Sequence, residues 1–238
     1  MRLVLAVLLA ACVSKAPAPQ GELVAQRMER QTTHALDYYL YLPEGYETRE
    51  DWPLVVFLHG GGESGSDLGR ITEHGLPKLV AEGCDFDFVM LAPQNPHVNR
   101  MWDDAAVMRL IDSEIDGLRV DPDHVVVTGL SRGGMATWRI GMQHPDRFAG
   151  LAPIAGGGLP VYAFRLEDVP VWAFYGAKDE VVALDDARRV ADRLADEGGE
   201  IEITVYPEAG HVEAWEQAYA DPRLYEWIDA RKREGTPP

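Results

Sequence analysis

The sequence is short of cysteine, of positive charge and of long apolar runs, and each shortage removes a class of protein. Two cysteines in 238 residues cannot build the multi-bridge framework of a small secreted scaffold. Lysine and arginine number 22 against 39 aspartates and glutamates, for a formal charge of −17. Nucleic acid is excluded, because its phosphates need a basic surface to displace their counterions, and adsorption to anionic lipid is disfavoured on the same ground. No apolar run approaches the roughly 20 residues of a membrane-spanning helix. There is no internal repeat. What is present is an apolar fraction of 46%, enough for a substantial core, at a length that suits one α/β domain.

The first residues are not fold. In "MRLVLAVLLAACVSKAPAPQ" one arginine precedes an apolar run from Leu3 to Leu9, placed like a secretory leader. The run closes on Leu9-Ala10-Ala11-Cys12, which resembles the lipobox of bacterial lipoproteins. That resemblance implies cleavage before Cys12 and a lipid anchor on it; an ordinary leader with an incidental cysteine is the alternative. Several acyl chains hold a protein on a bilayer where one is marginal. "SKAPAPQGE" then reads as a Pro/Ala tether. Cys84 is left without an intrachain partner. Its acidic neighbours in "AEGCDFDF" disfavour a thiolate, so a structural role is expected.

Further along, strands and helices alternate. "ALDYYLYLP", "WPLVVFLHGGG", "FDFVMLAPQ", "DHVVVTG", "FAGLAPIAGGG", "VPVWAFYG" and "EIEITVYP" read as strands, several of them apolar throughout, as strands buried on both faces are. "DDAAVMRLIDSEIDGLR" places apolar residues on one helical face with Asp103 as N-cap. "RGGMATWRIGMQHP" is a helix stopped at Pro145, and "LDDARRVADRLADEGG" an amphipathic helix with a glycine stop. This alternation predicts an α/β fold: a mostly parallel, doubly wound sheet flanked by helices, whose ligands gather at the carboxyl ends of the strands.

One such end carries Gly129-Leu130-Ser131-Arg132-Gly133, the pattern G-x-S-x-G, between a valine-rich strand and a helix. A strand turning straight into a helix forces the serine into a strained conformation, and flanking glycines remove the clashes of the close approach. The turn lifts the hydroxyl over the sheet edge, beside a helix N-terminus that favours negative charge. A serine hydroxyl needs a base, and with this turn the chain order is serine, acid, histidine. His211 in "YPEAGH" is the one histidine beyond the strand "VPVWAFYG". Asp179 in "YGAKDEVV" is the expected acid, with Glu180 as close rival, while Asp185 and Asp186 belong to the next helix. A tetrahedral intermediate needs donors, and the glycines of "FLHGGGES" can turn N–H groups inward. Gly61 is expected to supply one, with Gly62 as alternative, and the amide of Arg132 the other. His59 is expected to be structural. No ligand spacing suggests a metal.

The segments "LPEGYE…WPLVVFLHGGGESG", "DPDHVVVTGLSRGGMATW", "HPDRFAGLAPIAGGG" and "YGAKDEVV…AGH" resemble the α/β-hydrolase superfamily. Within it they are most similar to secreted esterases related to polyhydroxybutyrate depolymerases and feruloyl esterases, also labelled predicted peptidases. The resemblance covers about Leu36 to His211. It implies hydrolysis of carboxylic esters, short acyl or aromatic and possibly borne on polysaccharide or polyester, without cofactor. Ser131 matches the nucleophile, Asp179 the acid, His211 the base and "HGGGE" the oxyanion loop. Many relatives have methionine where Arg132 stands; its side chain is expected to pair with nearby acids, or else to face anionic substrates at the pocket. Trp102 occupies a stretch that borders substrate in this group. "GLPVYAFRLED" is too short for a large lid, which argues against a lipase for long acyl chains. The expected organisation is a leader over 1–11, a tether and lead-in over 12–33, a catalytic domain over 34–233 and a tail over 234–238. A peptidase with the same three residues, or a catalytically inactive surface-binding lipoprotein, are the rival readings.

Overall fold

The computed structural model describes residues 20–21, 23–28 and 35–233. The expected leader, the Cys12 anchor, most of the tether and the C-terminal tail lie outside those residues. Eight strands form one sheet in the order β1-β2-β4-β3-β5-β6-β7-β8. These are β1 (Leu23–Met28), β2 (Leu36–Tyr41), β3 (Trp52–Leu58), β4 (Val89–Pro93), β5 (Val120–Leu130), β6 (Gly150–Ile154), β7 (Val171–Gly176) and β8 (Ile201–Tyr206). The first two run antiparallel to their neighbours, and the ladders from β4 to β8 are all parallel. The doubly wound expectation is met, with one correction. The sheet begins at Leu23, inside the segment expected to be lead-in, because "LVAQRM" finds its ladder partners only on β2.

Alternation along the strands divides the core in two. Leu54, Val56 and Leu58 face one layer and Val55 and Phe57 the other. The first layer receives the apolar sides of α2 (Asp104–Ile115), α3 (Arg132–Gln143) and α4 (Leu184–Asp196). The second receives α1 (Gly75–Ala81), α5 (His211–Ala220) and α6 (Pro222–Asp229). Asp103 caps α2 as expected, its Oδ1 accepting from the N–H of Ala106 at 3.0 Å.

Because β3 to β8 are parallel, their carboxyl ends share one edge. His59, Ser131, Asp179 and His211 all follow within five residues of such an end. Between β6 and β7 the chain makes only a short 3-10 helix, Pro160–Leu166, in place of a lid. Cys84 corrects the sequence expectation: it is exposed and unbonded, in the turn between α1 and β4, where it packs into no core. Among the described residues no helix is long and apolar enough to cross a membrane.

Candidate active site

Ser131 joins β5 to α3 with no intervening loop. Its φ of 54° and ψ of −114° put a side chain where L-residues rarely go. The surroundings hold it there. Its N–H donates to the Ile154 carbonyl at 2.9 Å, and its carbonyl accepts from the N–H of Met135 at the same distance. A Cβ on Gly129 would stand 2.5 Å from the Leu58 carbonyl oxygen, and one on Gly133 only 1.8 Å from it. The backbones of β3 and the turn therefore pack in direct contact, as the two glycines suggested.

His211 is the first residue of α5. The helix start is fixed by Glu213, whose Oε2 accepts from the N–H of Gly210 at 3.1 Å. The histidine ring lies between two of the expected partners. Nδ1 is 2.6 Å from Asp179 Oδ2, and Nε2 is 2.8 Å from Ser131 Oγ. Because an ionised carboxylate only accepts, Nδ1 carries the proton and Nε2 is left to accept from the serine hydroxyl. The Asp179 side chain is fully buried and its other oxygen is occupied, taking the N–H groups of Val181 at 2.8 Å and Val182 at 2.9 Å. Its rival Glu180 is exposed. The acid and base loops are tied to each other by the N–H of Lys178 donating to the Ala209 carbonyl at 2.9 Å, and by a Lys178–Glu208 ion pair.

Arg132 opens α3, so its N–H is among those at the helix start that have no intrahelical acceptor. Gly61 is half-buried and Gly62 exposed, in the loop that follows β3. His59 anchors that loop. It is buried, its Nδ1–H donates to the Gly60 carbonyl at 2.7 Å, and its Nε2 accepts from the N–H of Asn95 at 2.9 Å. Burial in this neutral arrangement lowers its pKa to about 4. Glu63, two residues past Gly61, is also buried, and burial raises its carboxyl pKa.

Two side-chain expectations need correction. Trp102 is 5% exposed, lies tilted against the His59 ring with centroids 4.7 Å apart and donates from its indole N–H to the His59 carbonyl at 3.2 Å. It props the glycine loop, while its exposed neighbour Met101 lines the groove along α3. The Arg132 guanidinium, expected to meet acids, instead donates to carbonyl oxygens and to a serine hydroxyl.

Other features escaped the sequence reading. Trp215 packs edge-on against both His211, at 4.9 Å, and His74, at 5.4 Å. The helical spacing from His211 to Trp215 was the available signal. A groove of about 690 Å³ runs along α3, lined by Met101, Met135, Met142, Tyr162, Phe164 and Arg165 among others; Ser131, Asp179 and His211 do not line it. Gly157 and Gly158 of the turn after β6 also line it, and that turn is held by the Gly156 carbonyl, which accepts from Trp138 at 3.1 Å and Tyr175 at 2.6 Å. The charged groups at its rim are engaged: Arg139 with Asp104 and Arg165 with the Met142 carbonyl. Among the described residues no group of three His, Cys, Asp or Glu is placed to hold a metal.

A model of the dienelactone hydrolase family matches residues 93–223. NocK of Nocardia uniformis subsp. tsuyamanensis, named as an esterase, is 33% identical over 68% of this chain and 48% of its own. Poly(3-hydroxyalkanoate) depolymerase C of Paucimonas lemoignei is 28% identical over 51% of this chain and 31% of its own. Among solved structures, a thermostable esterase superposes with a TM-score of 0.77 and 28% identity, over 89% of this chain and 64% of that one. This chain spans less than two thirds of the length of each.

Proposed function

Because the chain belongs to the dienelactone hydrolase family and has the α/β-hydrolase fold, we propose that it hydrolyses carboxylic esters with Ser131 as nucleophile, His211 as base and Asp179 as orienting acid. The observation that carries this reading is the unbroken line from Asp179 Oδ2 through the imidazole to Ser131 Oγ, at 2.6 and 2.8 Å. Nε2 takes the hydroxyl proton as Oγ attacks the ester carbonyl, and the buried Asp179 stabilises the imidazolium that results. The new oxyanion lies beside the start of α3. The Arg132 N–H, with that of Gly61 or Gly62, donates to it there, where the helix end also favours negative charge. The intermediate collapses with cleavage of the C–O bond. The departing alkoxide receives the proton from Nε2; water, deprotonated by the same nitrogen, then attacks the acyl-serine, and as the C–Oγ bond breaks Nε2 returns that proton to Oγ and the acid leaves.

The groove beside Met135 supports a substrate with a compact apolar or aromatic part, and it is within the size of small-molecule pockets. The missing lid agrees with substrates that are not long-chain lipids. A named esterase and a polyester depolymerase among the relatives point the same way. Export and a lipid anchor on Cys12 complete the proposal, on the strength of the leader sequence.

The test is hydrolysis of p-nitrophenyl esters of increasing acyl size by the protein and by Ser131→Ala, with fluorophosphonate labelling alongside. Turnover that disappears in the variant, with the label on Ser131 of the parent, is the expected result. A folded parent that neither turns over nor labels would return the protein to the class of binding lipoproteins.

A further inference from the structure

The side chain of Arg132 has no part in the mechanism above, yet it lies at the centre of the site. From the first residue of α3 it turns back over the strand ends. Its Nη1 donates to the Val98 carbonyl at 2.7 Å, and lies 3.2 Å from the Arg100 carbonyl and 3.3 Å from Ser64 Oγ. The other terminal nitrogen stands against Gly61: a Cβ built there would be 2.7 Å from Nη2 and 3.0 Å from Cζ. One guanidinium thus touches the segment after β4, the glycine loop after β3 and, through its own backbone, the nucleophile turn.

That loop is in need of a constraint. Gly60, Gly61 and Gly62 follow in succession, and glycine has the widest backbone freedom of any residue with no side chain to pin it. An oxyanion donor acts only when its N–H is held to within a fraction of an ångström of its place. His59 and Trp102 fix the loop at its root. Beyond the root, Gln94 donates to the Glu63 carbonyl at 2.6 Å and the Gly65 N–H to the Asn95 carbonyl at 2.9 Å, while the group lying against Gly61 itself is the Arg132 guanidinium, which also reaches the buried Ser64. A planar fork with several donors in fixed geometry suits this task, whereas an ammonium on a flexible stem does not.

We propose that Arg132 is a positioning residue for the oxyanion site: its backbone supplies one donor, and its guanidinium holds the glycine loop that supplies the other. The proposal rests on the reading of Ser131 as nucleophile and Gly61 as donor. It also accounts for glycine at 61, since any side chain there would displace the guanidinium.

The experiment compares Arg132→Lys and Arg132→Met with the parent on one short ester, together with the Ki of a trifluoromethyl ketone, whose adduct with Ser131 carries an oxyanion. Both variants should lose about 10- to 100-fold in kcat with KM nearly unchanged, and the ketone should weaken by a similar factor. Thermal unfolding measured in parallel shows that each variant is folded. The lysine variant separates the fork from the charge: full activity in Arg132→Lys with loss in Arg132→Met would overturn positioning in favour of simple electrostatics. A change confined to KM, or unchanged kcat in both variants, would overturn it as well. A second measurement is independent of folding yield. Gly61→Ala should cost more in the parent than in the Arg132→Met background, and strictly additive losses would count against a contact between 61 and 132. Retained turnover in Ser131→Ala would remove the underlying reading itself; loss there with unaffected Arg132 variants would remove only the role of Arg132.

Discussion

At the scale of single residues, the site is built from groups held in unfavourable states by their neighbours. Ser131 keeps its strained backbone because Ile154 and Met135 hold its N–H and carbonyl. His59 is kept neutral, with Nδ1 donating to Gly60 and Nε2 accepting from Asn95. Its folded pKa, about 4, lies below the 6.5 of an unperturbed imidazole. Between those values the unfolded chain binds the proton and the folded chain does not, so this group's contribution to stability is full above pH 6.5. It is lost as the pH falls toward 4, by roughly 3 kcal/mol in all. Glu63 works in the opposite sense: its raised pKa makes the folded state the better proton binder, so its share of stability falls as pH rises. Urea midpoints measured from pH 7.5 to 4.5 should show a shallower acid loss in His59→Asn than in the parent. Equal slopes would mean that His59 does not titrate with unfolding.

At the scale of elements, the turn from β5 into α3 and the groove beside α3 make separate predictions. Gly133→Ala places a methyl group 1.8 Å from the Leu58 carbonyl oxygen, so β3 and α3 must part; loss of soluble, folded protein is expected. Gly62→Ala, with nothing within 4 Å of its new methyl, should express and melt within a few degrees of the parent. Comparable damage from both would contradict the packing. In the groove, Tyr162 and Phe164 are each 49% exposed on the 3-10 helix. Replacing both with alanine should raise KM for benzoyl or cinnamoyl esters about tenfold while leaving acetyl esters within twofold, since only the larger acyl group reaches that wall. A uniform change across acyl groups would place the acyl group elsewhere. The pattern of elements was legible because periodicity and glycine punctuation are local. β1 was not, since six residues of mixed polarity become a strand only where β2 offers its free edge.

At the scale of the whole molecule, an acidic body carries its exposed large apolar side chains at one end. Among the described residues all of them, including Val98, Met101, Val181 and Val212, lie on segments that follow β4, β6, β7 and β8. These segments all leave the carboxyl ends of parallel strands, the same sheet edge at which Ser131 lies. Where the protein works is the subject of the proposed leader and anchor. If Cys12 carries lipid, Cys12→Ala should move the protein from the membrane pellet to the soluble envelope fraction without changing kcat on a soluble ester. Pelleting of the variant would show that something other than Cys12 retains it.

The sequence by itself determined the alternating architecture and the identity of Ser131, Asp179 and His211 as a candidate set. A nucleophile turn has a local steric requirement, and the chain order of such a fold limits the partners. It left Gly61 and Gly62 open as donors. It misplaced Trp102, and it aimed the Arg132 side chain at carboxylates. Tertiary structure alone decided the last two. Whether an indole faces substrate or props a loop, and whether a guanidinium meets a carboxylate or a carbonyl, depends on which segments the parallel sheet brings to one edge. Residues 61, 98 and 132 are far apart in the chain and become neighbours only because β3, β4 and β5 lie side by side.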